Sequence, residues 1–322
     1  MKAFVHLLTL PLLGYYSALI SIYFPVIWGQ TNLFNGYKSH NNDDKNRDGI
    51  INDIPESLMT ELSNGLTMPL VGLGVGSLQT NLVESMIHHA MNDARRIRLF
   101  DTSHRYGNER ECARGLSTGI LNLKDQWLSL SSSSNKNRNR NSNKGIDTNN
   151  YNQKDRIQVH VVTKIWYTHL GYARTKLAVD EILQEFDEAI NPNIDLRLTI
   201  LLERQQSNDH LSEQQLPDRT KNAGPPPHLD ENAWKGSWRA LEEIYEDKDV
   251  YSVVAAIGIS NFDIDHLRTL IQISNIKPHM IQINVWSLMN EPALIELINE
   301  HNIHIQVRDN SIEIICLEKL YC

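Results

Sequence analysis

Two short segments of this chain end on ionisable side chains of complementary character. One is Phe100-Asp101-Thr102-Ser103-His104-Arg105-Tyr106-Gly107-Asn108-Glu109, and the other is Val161-Val162-Thr163-Lys164. Between them they offer a carboxylate, a phenol and an ammonium. That is the set needed to protonate a carbonyl oxygen: the phenol gives the proton, an ammonium beside a phenol favours the phenolate left behind, and a carboxylate orients the ammonium. Asp101, Tyr106 and Lys164 are therefore the candidate catalytic residues. Singly, each has an ordinary explanation: a cap for Asp101, a packed loop aromatic for Tyr106, a surface lysine for Lys164. Their occurrence together, each just after an apolar run, is what points to chemistry.

The surrounding pattern supplies elements to hold them. Apolar runs at residues 70–74, 97–101, 157–164, 194–202, 253–259, 280–286 and 303–307 read as strands. Helical spacing fills the intervals at 83–94, 109–123, 173–190, 234–245, 264–273 and 293–299. Repeated βα units with nearly continuous apolar strands imply a parallel sheet buried on both faces. The expected fold class is α/β, a (β/α)8 TIM barrel, incomplete at about seven strands, with an N-terminal hydrophobic helix. A full barrel needs eight strands, and residues 308–322 are too few for a strand, its helix and the closing elements together. If any segment fills the gap it is 311–320, with Ile312, Ile314, Ile315 and Leu317. Two polar stretches, 129–156 and 205–231, interrupt the pattern. Both are expected to be disordered insertions, since neither has the apolar residues to bury. The domain reading is thus a hydrophobic segment at 1–29, a polar linker at 30–60 and the barrel at 61–322.

Bulk properties narrow the function. With 322 residues, a net charge of −8 and a pI near 5.9, the chain carries no basic footprint for nucleic acid. Three cysteines do not form a full set of pairs, which argues against a disulfide scaffold. Residues 7–28 carry no formal charge, and about 22 residues suffice for a helix to cross a bilayer. Pro11, Gly14 and Pro25 weaken a straight helix, although membrane helices tolerate such residues. The expectation is a single membrane anchor. The alternatives are a cleaved signal or transit peptide, leaving the protein in a secretory or organellar lumen, and a buried soluble helix.

Two further segments complete the picture: Asn64-Gly65-Leu66-Thr67-Met68-Pro69-Leu70-Val71-Gly72-Leu73-Gly74 and Ile257-Gly258-Ile259-Ser260-Asn261-Phe262. With the first two they stand in the order and at the spacing that resemble the aldo-keto reductases, over residues 61–307. The resemblance implies reduction of an aldehyde or ketone by hydride from NADPH. Tyr106 would be the proton donor, with Lys164 and Asp101 assisting it. It also implies that Ser260, Asn261 and Gln282 bind the nicotinamide carboxamide. From the residues alone, Ser260-Asn261 equally suits a helix N-cap.

The chain departs from the family's pattern in three places. The family's histidine slot in Asp195-Leu196-Arg197-Leu198-Thr199 falls on Ile200, or on Glu203 if the strand is longer. A small subgroup, the steroid 5β-reductases, has Glu there, but Glu203 beside Arg204 also suits the start of a solvated loop. The stacking aromatic after the last strand is replaced by Arg308-Asp309-Asn310-Ser311. No later basic segment grips the 2′-phosphate, and each such contact is worth ~1.5–3 kcal/mol. These departures suggest C-terminal truncation, and leave as alternatives a weak or inactive barrel acting as a binding protein, or a truncated gene product. Gly72-Leu73-Gly74-Val75-Gly76 lacks the dinucleotide-binding spacing. No metal site is expected, since His88-His89 and His301/His304 read as helix-surface and strand-edge residues.

Overall fold

Side chains alternate along the strands between two dry faces, and that alternation decides the architecture. In the computed structural model, residues 54–92, 96–134, 156–204, 215–309 and 312–318 are described, all within one unit spanning Ile50–Cys322. The expected anchor at 1–29, the linker up to residue 53, and residues 135–155 and 205–214 of the two insertions lie outside them. Among the described residues, no helix is long and apolar enough to cross a membrane.

A short hairpin, β1 (Met59–Glu61) and β2 (Thr67–Pro69), precedes the barrel. The barrel strands are β3 (Val71–Gly74), β4 (Leu99–Asp101), β5 (Ile157–Ile165), β6 (Ile194–Glu203), β7 (Val254–Ser260), β8 (Met280–Asn284) and β9 (His304–Asp309). All seven pair in parallel, each with the next in sequence. Between them run α1 (Thr80–Asn92), α2 (Glu109–Ser134), α3 (Tyr172–Glu185), the short α4 (Asp218–Ala223), α5 (Ala233–Glu246), α6 (Ile264–Ile273), α7 (Val285–Met289) and α8 (Pro292–Glu300).

The expected gap is closed. β10 (Ile312–Glu318) runs antiparallel to both β9 and β3 and completes an eight-stranded ring. A hairpin needs only a tight connection where a parallel strand needs a crossover, so these few residues suffice. The barrel is thus a βα barrel of seven parallel strands, sealed by a reversed eighth.

Outward residues such as Phe100, Val161, Ile200, Leu202, Ile257, Ile259, Ile281 and Ile305 are buried against the helices. Inward residues Leu99, Val162, Leu201, Ala256 and Met280 form a second apolar cluster with Leu62 and Met68 of the hairpin segment. The hairpin therefore plugs the amino-terminal end of the barrel. Thr60 Oγ1 lies 2.8 Å from His304 Nε2, tying β1 to β9. The fold consequently starts before residue 61, inside the stretch read as a linker. At Gly258 the strands run so close that a Cβ would stand 2.4 Å from the Met280 carbonyl oxygen.

Three other expectations change. α2 continues through residue 134, so the first six residues of the 129–156 insertion are helical. Within 205–231, residues Asp218–Ala223 form α4, with Thr220 buried, and Pro227–Leu229 form a short 3-10 turn. β8 ends at Asn284, whose side chain accepts a hydrogen bond from Trp286 N and starts α7 where the strand was expected to continue.

Candidate active site

Asp101 is the last residue of β4, and Lys164 sits one residue before the end of β5. In a parallel barrel both therefore reach the carboxyl-terminal mouth. Lys164 is fully buried, and its Nζ donates to Asp101 Oδ1 at 2.8 Å and Oδ2 at 2.9 Å, and to the Thr102 carbonyl at 2.8 Å. Burial works against its charge. Asp101, Tyr106 and Glu203 outweigh that effect, and the ammonium is held above the ordinary lysine value. A desolvated ion pair of this kind rarely stabilises a fold relative to an apolar pair, so its position at the mouth points to function.

Tyr106 ends a 3-10 turn, His104–Tyr106, capped by Ser103 and released by Gly107 in the left-handed region at φ 63°. The loop is pinned from beneath: Thr102 Oγ1 donates to Asn108 Oδ1 at 2.7 Å, and Asn108 Nδ2 donates to the Val75 carbonyl at 3.0 Å. The half-buried Tyr106 ring has Lys164 Nζ at 5.4 Å from its centroid. Its other side rests on Gly76, where an added Cβ would lie 2.8 Å from the ring. The absence of a side chain at residue 76 is what makes room for the phenol.

Ser260, Gln282 and Gln306 are inward residues of β7, β8 and β9, and all three are buried. Gln282 Nε2 donates to Asp101 Oδ2 at 2.7 Å and to Gln306 Oε1 at 2.9 Å. This leaves Gln282 Oε1, Gln306 Nε2 and Ser260 Oγ buried without a partner. Orphaned buried polar atoms are uncommon and call for an explanation. An acceptor, a donor and a hydroxyl gathered beside Asp101 match the two-sided hydrogen bonding of a carboxamide. The chain's residues thus fit the nicotinamide end of the expected cofactor. Asn261, in the left-handed region at φ 59°, instead turns its amide to Glu203 Oε1 at 3.4 Å. Neither Ser260 nor Asn261 caps α6, whose cap is Asp263.

The length of β6 separates the two positions weighed for the histidine slot. β6 extends to residue 203, so Glu203 and not Ile200 stands at the strand end, in register with Ser260. Glu203 is 6% exposed, which corrects the reading of a solvated loop. Its neighbour Arg204 turns away and pairs with Asp263.

Two acid–base groups, the buried Glu109 and the half-buried His104, were not legible as site residues. Thr163 Oγ1 donates to Glu109, which burial pushes up to about 7 against the pull of His104 and of this hydrogen bond. His104 is raised: burial lowers it, but the hydrogen bond to Glu181 and the charges of Glu109 and Glu181 prevail. Gln306 was also missed. Its inward position two residues after His304 was the available signal, because alternate residues of a strand share a face.

No family model matches the chain. It is 25% identical over 247 residues to the NADH-dependent D-xylose reductase of Candida parapsilosis, covering 76% of this chain and 64% of that protein. It is 24% identical over 258 residues to the NADPH-dependent aldose reductase GRE3 of Saccharomyces cerevisiae, covering 77% and 65%. The chain thus spans just under two thirds of the length of these relatives. The crystal structure of a Bombyx mori aldo-keto reductase in complex with NADP shares the fold, with a TM-score of 0.51 and 18% identity over 78% of this chain and 66% of that one. With the four motifs and the barrel that carries them, these likenesses show that the chain is similar in sequence and in fold to aldo-keto reductases.

Proposed function

We propose that this chain reduces an aldehyde or ketone to the corresponding alcohol, using NADPH and Tyr106 as the proton donor. The observation that carries the reading is the buried Lys164, fixed by Asp101 and the Thr102 carbonyl, beside the Tyr106 ring. Asp101 and Thr102 restrain the ammonium, which favours the phenolate as the phenol gives up its proton. The bound nicotinamide would supply the hydride. Ser260, Gln282 and Gln306 would orient its carboxamide through their unpartnered atoms, presenting one face of the ring to the mouth. Asn261 would join them on leaving Glu203. The similarity to an NADH-dependent xylose reductase and an NADPH-dependent aldose reductase supports the substrate and cofactor classes.

Glu203 in the histidine slot supports a second reading, a barrel that binds carbonyl compounds and turns them over slowly. Both readings meet one experiment: cofactor oxidation measured at saturating NADPH with a reactive aromatic aldehyde. Turnover is expected, and Tyr106→Phe is expected to abolish it while the fold is kept. Turnover unchanged in Tyr106→Phe would refute the role of the phenol, and its absence in the parent chain would favour the binding protein.

A further inference from the structure

We propose that His104, His169 and Glu181 form a site for a divalent transition-metal ion, zinc foremost, beside the catalytic mouth. The three come from separate elements: His104 from the turn after β4, His169 from the 3-10 turn Tyr167–His169 after β5, and Glu181 from α3. Glu181 Oε2 lies 3.2 Å from His104 Nε2 and 3.6 Å from His169 Nε2, and the ligand atoms all lie within 4.8 Å of one another. Ligands on tetrahedral zinc, with bonds of roughly 2.0–2.1 Å, stand about 3.4 Å apart. Two of the three edges already have that length, and the third closes by rotation of the imidazoles. The rings meet edge to face, at 90° with centroids 4.7 Å apart, an arrangement that lets their nitrogens converge.

The surroundings suit a ligand set. His169 Nδ1 has Thr168 Oγ1 at 2.9 Å; with the proton on Nδ1, the Nε2 lone pair faces Glu181 Oε2 and the weakly placed Thr220 Oγ1 at 3.4 Å, a contact an ion would displace. His104 Nδ1 is buried with no partner. Arg219 Nε lies 2.7 Å from Glu181 Oε1, the other carboxylate oxygen, so the ion would take Oε2 in place of the proton that His104 Nε2 shares with it. Two imidazoles and one carboxylate select zinc and its neighbours over magnesium or calcium, and they leave a fourth position for water. The ion would tie the ends of β4 and β5 to α3, through the turn that ends in Tyr106.

The test is zinc titration of the full chain against a competing chromophoric chelator, repeated with cobalt to record the visible bands of a tetrahedral site. One ion per chain is expected, with a dissociation constant on the order of micromolar. His104→Gln combined with His169→Gln should weaken binding at least tenfold and bleach the cobalt bands. Arg219→Gln alters a side chain that is 60% exposed, so folding should be kept. Removing that cation should tighten zinc binding several-fold. No binding in the micromolar range, unchanged affinity in the double variant, or an Arg219→Gln variant that binds no tighter would each overturn the site.

Discussion

Glu109→Gln isolates the energetic cost of a carboxyl held in a dry place. The folded chain holds its proton up to about pH 7, whereas the ordinary value of such a carboxyl is 4.5. Between those values the native state binds more protons than the unfolded one, so stability falls as pH rises. Its contribution is intact below the unfolded value and lost as pH climbs through the folded one. The difference corresponds to about 3 kcal/mol above neutrality, at roughly 1.4 kcal/mol per unit. Gln keeps the acceptor that Thr163 Oγ1 uses and has no charge to desolvate. The variant should match the parent near pH 4 and exceed it by about 2–3 kcal/mol near pH 8, the lower figure allowing for the charge His104 loses as a partner. Urea unfolding across that range, with chelator present, reads the difference directly. The raised His104 gives a loss of the same sign in both proteins, so it cancels to first order in the comparison. A stability difference that does not change between acid and alkaline pH would refute the reasoning.

Three further outcomes are expected. Gly76→Ala puts a methyl group 2.8 Å from the Tyr106 ring at an exposed position, so turnover should fall tenfold or more while stability changes by about 1 kcal/mol or less; full activity would show that the phenol does not need that place. Lys164→Met leaves the buried Asp101 without its cation and should cost about 3–5 kcal/mol in chemical unfolding, so a variant as stable as the parent would mean the pair is dispensable. If residues 7–28 tether the chain to a bilayer, as their lack of charge suggests, the expressed protein should stay with membranes through alkaline carbonate extraction, and release into the supernatant would refute the tether.

Much of the fold was legible because the parallel strands are buried on both faces and write themselves as unbroken apolar runs. Asp101 and Lys164 were legible for a related reason: each is the charge that stops such a run. The rest was hidden by distance or by geometry. The hairpin Met59–Pro69 lies in a mixed polar stretch whose scattered apolar residues, Leu62, Leu66 and Met68 among them, find their partners inside the barrel. The reversal at β10 does not follow from the βα rhythm, which extrapolates to another crossover. Glu203 was ambiguous because strand length, not residue type, decides whether it faces the site. His104, His169 and Glu181 meet only through strand-end loops and a helix, so no local spacing signals them.

The sealing strand also sets the order in which the ring can form. β9 and β10 are joined as a hairpin, with Asp309 opposite Ile312, whereas β10 and β3 pair Ile314 with Leu73 across almost the whole barrel sequence. The first pairing is cheap in loop entropy and the second is not. A chain emerging from the ribosome therefore carries β3 as an open edge until residues 312–318 have followed. During that interval its unpaired amides can accept a strand from a neighbouring chain as readily as from its own. The barrel's last seam is thus a race between intramolecular closure and association, decided by the final strand to be made in the ring.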